Sequence, residues 1–382
     1  MPPEYTPSIE ISLDNLVYNL HQLQSRLHSP EAIIAVVKDN AYGCGAPVIA
    51  ETLENEGISF FAVASMHEAR ELRSHGIDSP ILVLGEATVD EITWASSHDV
   101  RIVINDYDAL TRIAQYMIPA TLHINIDTGM QRLGIAPAET ESAIAVIARN
   151  RHLTLEGLFT HFACADEPGT DSVTAQLSRF DAVQAVVKKH GIPVKYIHSS
   201  NSAAATRFPV PPGHLVRPGI VLLGCKPDPG QEFDIDLRPI VSLKAPIIKI
   251  KKVARSTAVS YGWTYAPDED TSIATVPIGY AHGYPRALSN KGEVLIRGKR
   301  FPVAGRVTMD YILVNLGAET DIQTGEEVVA IGSQKDACIT PDDLALQTGT
   351  IGYEILCGLS NRIDRYYYRQ GKIIRREPTP LS

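Results

Sequence analysis

The sequence predicts a (β/α)8 barrel of the TIM type followed by a mostly β C-terminal domain. From about residue 32 to 225, short β-branched apolar runs alternate with helical stretches, the pattern of a parallel sheet with helices outside it. Four of these runs carry a titratable residue at or just past the carboxyl end, where barrel enzymes place their chemistry. Past about residue 235 short strands follow one another through Gly, Asp and Asn turns without helices between them. A chain of 382 residues is too long for one ordinary core, so two domains are expected, 1–235 and 236–382.

In chain order, SIEISLD (about 7–13) reads as a strand before the helix-like NLVYNLHQLQSRL; it is counted with the barrel, and pairing with the β domain is the open alternative. The barrel strand candidates are AIIAVVK (32–38), FFAVAS (60–65), ILVLG (81–85), VRIVIN (100–105), TLHINID (121–127), LEGLFTH (155–161), VKYIHS (194–199) and GIVLLG (219–224). A six-stranded open sheet is the lesser reading. Lys38, Asp127, His161 and His198 decide against it. Any one of them alone reads as a strand end facing solvent, whereas four in one register point to a site. PIVSLKAPIIKIKKV, TSIATVPIGY, GEVLIRGKRFPV, YILVNLG and GEEVVAIGS then supply the β domain.

Composition excludes several classes. A net charge of −9 and a pI near 5.7 offer no basic face for nucleic acid. The N-terminal MPPEYTPSIEISLD has no basic segment leading into an apolar one, and no apolar run is long enough to span a membrane. Five scattered cysteines, none in a CxxC pair, suggest neither a disulfide framework nor a metal site, and a reducing cytoplasm is expected.

The most informative segment is AVVKDNAYGCG (35–45). A lysine ending a buried strand is costly unless it is paired or loses its proton, and attack on an aldehyde requires an unprotonated amine. Its ordinary reading is a lysine whose head reaches solvent. The segment resembles the pyridoxal 5'-phosphate lysine motif of the alanine racemase family, usually written AVVKANAYGHG. INIDTGMQRLG (124–134), LFTHFACADE (158–167), IHSSNSAAATRFP (197–209), LVRPGIVLLG (215–224), VSYGWTY (259–265), IGYAHGYPRALSNKG (278–292) and VAGRVTMDY (303–311) follow in the family's order.

The resemblance implies a (β/α)8 barrel with a β domain, a homodimer with shared active sites, and interconversion of L- and D-alanine for peptidoglycan precursors. It makes Lys38 the cofactor-bearing residue and base on one face, and Tyr261, reaching in from the other subunit, the base on the opposite face. The family pattern selects Tyr261 over Tyr265, four residues on. A tyrosine with an ordinary pKa near 10 needs help to act as a base at neutral pH, and His161 matches the residue that bonds it. Arg217 matches the donor to the pyridine nitrogen. Tyr42, Ser202, Tyr353 and the amides of Gly219 and Ile220 match the phosphate contacts, and His198 the residue that stacks on the ring. Arg132 matches the arginine that meets the substrate carboxylate and Tyr261. Met309 and Asp310 match a loop contributed by the partner, and Tyr280 and Tyr353 close the side-chain pocket to methyl size.

Five departures mark this chain. Asp39 and Cys44 replace alanine and histidine in the lysine motif, His282 stands for aspartate, and Tyr311 for glutamine. At Asn125 many relatives have a lysine whose carbamate steadies the arginine matched by Arg132; here either an anion such as chloride takes over or Arg132 is held less firmly. Racemisation of serine or of a broader set is the nearest rival. Barrel-type amino-acid decarboxylases are a second class, set apart by a glycine triplet and an acidic partner for the pyridine nitrogen, neither of which this sequence shows. A non-catalytic single-barrel cofactor-binding protein is a third, and the long C-terminal domain speaks against it.

Overall fold

The apolar runs do build eight parallel strands, paired in chain order: β2 (Ala35–Val36), β3 (Phe61–Val63), β4 (Ile81–Val83), β5 (Val100–Ile104), β6 (Ala120–Asn125), β7 (Leu153–Phe159), β8 (Tyr196–Asn201) and β9 (His214–Arg217). They follow an N-terminal strand, β1 (Ser8–Ser12). The computed structural model describes residues 5–29, 32–318 and 321–379. Residues 1–4, the start of the MPPEYTPSIEISLD segment, and 380–382, the end of the expected β domain, lie outside the described residues.

The barrel closes where β2 meets β9. The Ile34 amide donates to the Val216 carbonyl and the Val36 amide to the Pro218 carbonyl, both at 2.8 Å, and Ile33 bridges to Val216 in parallel. Strands such as β5, VRIVI, are buried along their whole length, as parallel strands covered on both faces must be. Local sequence starts the outer helices. Ser65 with Glu68 and Thr88 with Glu91 form capping boxes, and Asp106 accepts from the Ala109 amide.

One strand differs from the reading above. GIVLLG (219–224) is a set of turns, with the Leu222 amide donating to the Gly219 carbonyl at 3.0 Å, and the eighth strand is the preceding HLVR. A short buried apolar run carries no period that separates strand from turn or helix. Pro218, which has no N–H to give a ladder, stops the strand one residue after Arg217.

The chain divides into two units, Leu20–Leu222 with Gln231–Asp236, and Met1–Asn19 with Leu223–Gly230 and Leu237–Ser382. In the second unit β1 lies between β10 (Val241–Pro246), to which it is antiparallel, and a late strand at Asp364–Arg369, to which it is parallel. Ile9 and Ile11 of β1 are fully buried. A three-stranded sheet of Lys249–Val253, Thr271–Val276 and Ile312–Asn315 stands apart from the larger one. The hairpin Glu293–Ile296 and Lys299–Pro302 turns on Arg297 and Gly298, both with positive φ, the primed geometry that matches strand twist. Two helices not foreseen in this region, Pro341–Thr348 and Gly352–Cys357, interrupt the strands.

Because β1 fills the middle of a sheet, Ile11→Ala leaves a cavity between two neighbours and should cost about 2–5 kcal/mol. Urea unfolding checks this, and an unmoved midpoint would mean that β1 is not part of the cooperative core.

Candidate active site

Lys38 opens an unusual turn. Asp39, Asn40, Ala41 and Tyr42 have φ of 53°, 53°, 51° and 54°, so four consecutive non-glycine residues are left-handed. Each costs roughly 1–2 kcal/mol. The turn persists because it is fixed from several directions. Gly43 and Gly45 amides donate to the Asp39 and Asn40 carbonyls at 2.9 Å, and the Ala46 amide donates to Asn40 Oδ1 at 2.8 Å. Glu68 Oε1 accepts from the Asp39 amide at 2.5 Å, while its Oε2 takes the amides of Ala64 and Ser65. One carboxylate therefore ties the lysine turn to the next βα loop. Strain held this way is typical of functional positions.

Tyr42, buried, meets Gly219: a Cβ on Gly219 would sit 2.2 Å from the Tyr42 hydroxyl. Only glycine leaves that space. The Gly219 amide donates to Ser202 Oγ at 3.0 Å, Ile220 is fully buried beside it, and Asn201 caps the helix Ser202–Arg207 by accepting from the Ala204 amide. Four expected phosphate residues, Tyr42, Ser202, Gly219 and Ile220, are thus neighbours around a spot that a Cβ would fill.

Arg217, at the end of β9, is a guanidinium with 5 % exposure. Nη1 donates to His198 Nδ1 at 2.9 Å; Nη2 reaches the Thr160 carbonyl at 2.8 Å, the Ser199 carbonyl at 3.1 Å and His161 Nδ1 at 3.1 Å. Burial pushes Arg217 down to about 9, which leaves it a cation at neutral pH. His161 is pushed down to about 3, first by burial and then by Arg217, Arg132 and Lys38, so these four groups share one electrostatic neighbourhood. His198 lies inside β8 rather than at its end, fully buried, with its ring stacked on Phe159 at 4.6 Å.

Arg132 is exposed on the loop after β6. Asp127, read as a chemical position, organises that loop: its Oδ1 accepts from the Gly129 and Gln131 amides at 2.9 and 3.1 Å. Asn125 Nδ2 donates to Asn105 Oδ1 at 2.9 Å and to the Leu133 carbonyl at 3.1 Å, so both amide hydrogens are committed, one of them to the loop that carries Arg132.

The remaining residues belong to the C-terminal unit. Tyr261 is 71 % exposed on a turn with Ser260, Gly262 and Trp263 all at positive φ. Ser260 Oγ donates to the Arg306 carbonyl at 2.8 Å, and the Tyr280 and Ala281 amides donate to the Thr308 and Met309 carbonyls at 3.0 Å. Tyr280, Met309 and Asp310 thus come from adjoining loops. Asp310 lies 3.9 Å from Arg362. His282 Nδ1 accepts from the Gly279 amide at 3.1 Å, closing the turn beside Tyr280, and Tyr311 is exposed. Tyr353 sits in the helix Gly352–Cys357.

Three polar residues on the barrel strands emerge only with the structure: Arg101 and His123, both buried, and Glu156, partly buried. Each is a titratable residue embedded in an apolar strand, VRIVIN, TLHINID and LEGLFTH, and that placement is the signal that could have found them.

The neutral buried histidines make a pH prediction. His161 has its pKa depressed from 6.5 to about 3, with His198 and His123 also depressed, burial first in each case. Between 6.5 and about 3 the unfolded chain takes up protons that the folded one refuses. Stability is therefore greatest above 6.5 and falls as pH drops, by up to about 1.4 kcal/mol per pH unit for each histidine. Urea midpoints at pH 7.5 and 5.5 check this; equal midpoints would contradict it.

Known proteins carry the same architecture. The alanine racemase N-terminal domain family matches residues 11–227 and the alanine racemase C-terminal domain family residues 240–367. The alanine racemase of Halothermothrix orenii is 40 % identical over 362 residues, 94 % of this chain and 96 % of that protein. The structure of alanine racemase from Bacillus anthracis with bound L-Ala-P superposes with a TM-score of 0.90 at 34 % identity, covering 99 % of both chains. A histidine racemase from Leuconostoc mesenteroides superposes with a TM-score of 0.87 at 28 % identity, covering 96 % of this chain and 99 % of that one. With both domains matched in order and identity of this level over nearly its whole length, the chain belongs to the alanine racemase family.

Proposed function

We propose that this enzyme interconverts L- and D-alanine with pyridoxal 5'-phosphate held by Lys38, and with Tyr261 of a partner subunit as the second proton carrier. The observation that carries the reading is the meeting, in one barrel, of a strained lysine turn, the Tyr42, Gly219 and Ser202 cradle, and the buried Arg217 cation. These residues fit the cofactor: the Tyr42 and Ser202 hydroxyls stand against the Gly219 backbone as groups that would hold a phosphate, and Arg217 can offer an N–H to a ring nitrogen.

When bound, the cofactor supplies an aldehyde for attachment and a ring that accepts electrons from Cα. The protein supplies orientation and proton transfer. Lys38 Nζ serves one face of Cα and the Tyr261 hydroxyl the other. Arg217 keeps its own proton, so a ring nitrogen facing it stays unprotonated, which tempers electron withdrawal and disfavours transamination. His161 has its Nδ1 turned to Arg217 and is neutral, so its proton is on Nε2. A donor directed at the Tyr261 hydroxyl would orient it for proton transfer. Phe159 already covers one face of His198, so the ring stacking implied for this residue is confined to the other.

Arg132 takes the substrate carboxylate. Since Asn125 spends both amide hydrogens on the protein, Arg132 is steadied by its loop, through Asp127 and Asn125, rather than by an anion on that amide. Tyr353, Tyr280, Met309 and Asp310 are assigned to the site by the family pattern. The exposed Tyr261, Trp263 and Met309 on adjoining loops support a face covered by a second copy of the chain. Among the described residues no helix is long and apolar enough to cross a membrane. A reducing cytoplasm as the setting is supported by the five scattered cysteines, none of which is in a disulfide. Racemisation of a larger amino acid is the second reading, favoured by the histidine racemase of the same fold.

Incubation with L-alanine in deuterated water tests the proposal. The protein should exchange the Cα hydrogen and form D-alanine. Lys38→Ala should lose the cofactor absorbance, and Tyr261→Phe should lose D-alanine formation by about 10²- to 10⁴-fold. Cofactor binding without D-alanine would reduce the family match to fold, and a faster rate with histidine would favour the second reading. Light scattering at assay concentration should find a dimer, and fully active monomers would exclude a shared site.

A further inference from the structure

Arg101, His123 and Glu156 have no part in the chemistry above, yet the barrel strands are distorted to accommodate them. Between β6 and β7 the register jumps from Leu122–Leu155 to His123–Gly157, so Glu156 is the extra residue of a bulge. Between β8 and β9 it jumps from His198–Leu215 to Ser200–Val216, which leaves Ser199 as the extra residue beside His198. Bulges re-aim side chains. Gly157 completes the arrangement: a Cβ there would lie 2.1 Å from His123 Nδ1, so the strand is cut back to seat the imidazole.

The result is a continuous row across the barrel. Arg217 Nη1 meets His198 Nδ1 at 2.9 Å, His198 Nε2 meets His123 Nδ1 at 2.9 Å, and His123 Nε2 meets Glu156 Oε2 at 3.3 Å. Glu156 is held by Arg101, Nε to Oε2 at 2.8 Å and Nη2 to Oε1 at 3.3 Å, and Arg101 has a second partner in Asp99 at 2.6 Å. Every proton in this row is fixed by elimination. An arginine can only donate, so His198 Nδ1 is a lone pair and its proton sits on Nε2. That proton goes to His123 Nδ1, whose own proton is then on Nε2 and goes to Glu156. The carboxylate can only accept while ionised, and it is held at about 2, against the cost of its burial, by His123 and Arg101.

We propose that Glu156 is a positioning residue for Arg217: through His123 it locks His198 in the Nε2–H tautomer, so that His198 always presents a lone pair to the guanidinium and fixes its orientation. This rests on the proposed function only in that Arg217 faces the cofactor ring. The groups around His198 are Arg217, His123 and His214, and those around His123 are Glu156, Arg101 and Arg217. Burial, the largest influence on both histidines, holds each neutral. If His123 reversed its tautomer, His198 would have to turn an N–H toward Arg217, donor against donor, and the guanidinium would lose one of its buried acceptors.

The test uses the holoenzyme with ring-15N histidine. His123 and His198 should both be neutral Nε2–H tautomers that do not titrate between about pH 6 and 9. Detection of an Nδ1–H form of His198 in the native enzyme would overturn the proposal, whether or not the protein racemises alanine; failure of the proposed function would instead leave the tautomers intact and cofactor and D-alanine missing. In Glu156→Gln, His198 should become a mixture of tautomers, the absorbance of bound cofactor should shift, and turnover should fall on the order of 10- to 100-fold, by analogy with the carboxylates that orient metal-bound histidines. Unchanged tautomer, absorbance and turnover would make Glu156 a purely structural residue. Should Glu156→Gln not fold, His123→Gln and His123→Phe decide. An amide at 123 can accept from His198 and donate to Glu156, preserving the direction of the row, whereas phenylalanine can do neither. Near-native absorbance and turnover in His123→Gln but not in His123→Phe are expected, and equal behaviour of the two would refute the idea.

Discussion

A guanidinium buried inside a barrel sets the terms for everything around it. Arg217 cannot shed its charge, so the interior must supply acceptors, and the other buried guanidinium, Arg101, has carboxylates of its own in Glu156 and Asp99. Two of its acceptors are backbone carbonyls, of Thr160 and Ser199, and two are histidine nitrogens. Histidine is an acceptor only when neutral. Burial and the repulsion of Arg217 itself keep His161 and His198 in that state, so the cation enforces the form of its partners that it needs. The strand irregularity beside His198 follows from the same demand, because the extra residue, Ser199, is the one whose carbonyl receives Nη2.

How far the sequence reveals this depends on the length scale. The alternation of apolar runs and helical stretches was legible because parallel strands covered on both faces must be continuously apolar. Lys38 stood out since an ammonium ending such a strand contradicts its surroundings. The eighth strand differs from the expected one because the longer apolar run GIVLLG adjoins the short, half-polar HLVR, and only the Pro218 between them marks where the strand ends. The position of β1 in the C-terminal sheet was left open, since a five-residue alternation says which face is buried but not against what. Bulges are a further step removed. Glu156 and His123 are both visible in the sequence, but only a one-residue change of register brings their side chains together.

Tyr261 is the opposite case. Nothing in the spacing of VSYGWTY separates it from an aromatic strand pair, and only the family motif singles it out from Tyr265. In the structure the two part company. Val259 and Tyr265 form an antiparallel bridge, and the Tyr265 hydroxyl accepts from Asn315 Nδ2 at 2.7 Å, while Tyr261 rides on the turn between them. Tyr265 is tied into a strand pair, whereas Tyr261 stands exposed on a left-handed turn.

Both proposed proton carriers thus stand on backbone that L-residues avoid: Lys38 before four left-handed residues, Tyr261 among Ser260, Gly262 and Trp263. The first turn alone carries strain of several kcal/mol, a sizeable part of the roughly 5–15 kcal/mol that keeps a protein folded. Such a turn cannot be held by its own propensity. It is held by groups that belong to other elements, above all Glu68, whose two oxygens take three amides and join the end of one barrel strand to the start of the helix after the next. The consequence for the lysine is rigidity without a helix or strand of its own. The backbone from which its side chain leaves is thus fixed by the barrel rather than by the loop's own propensity.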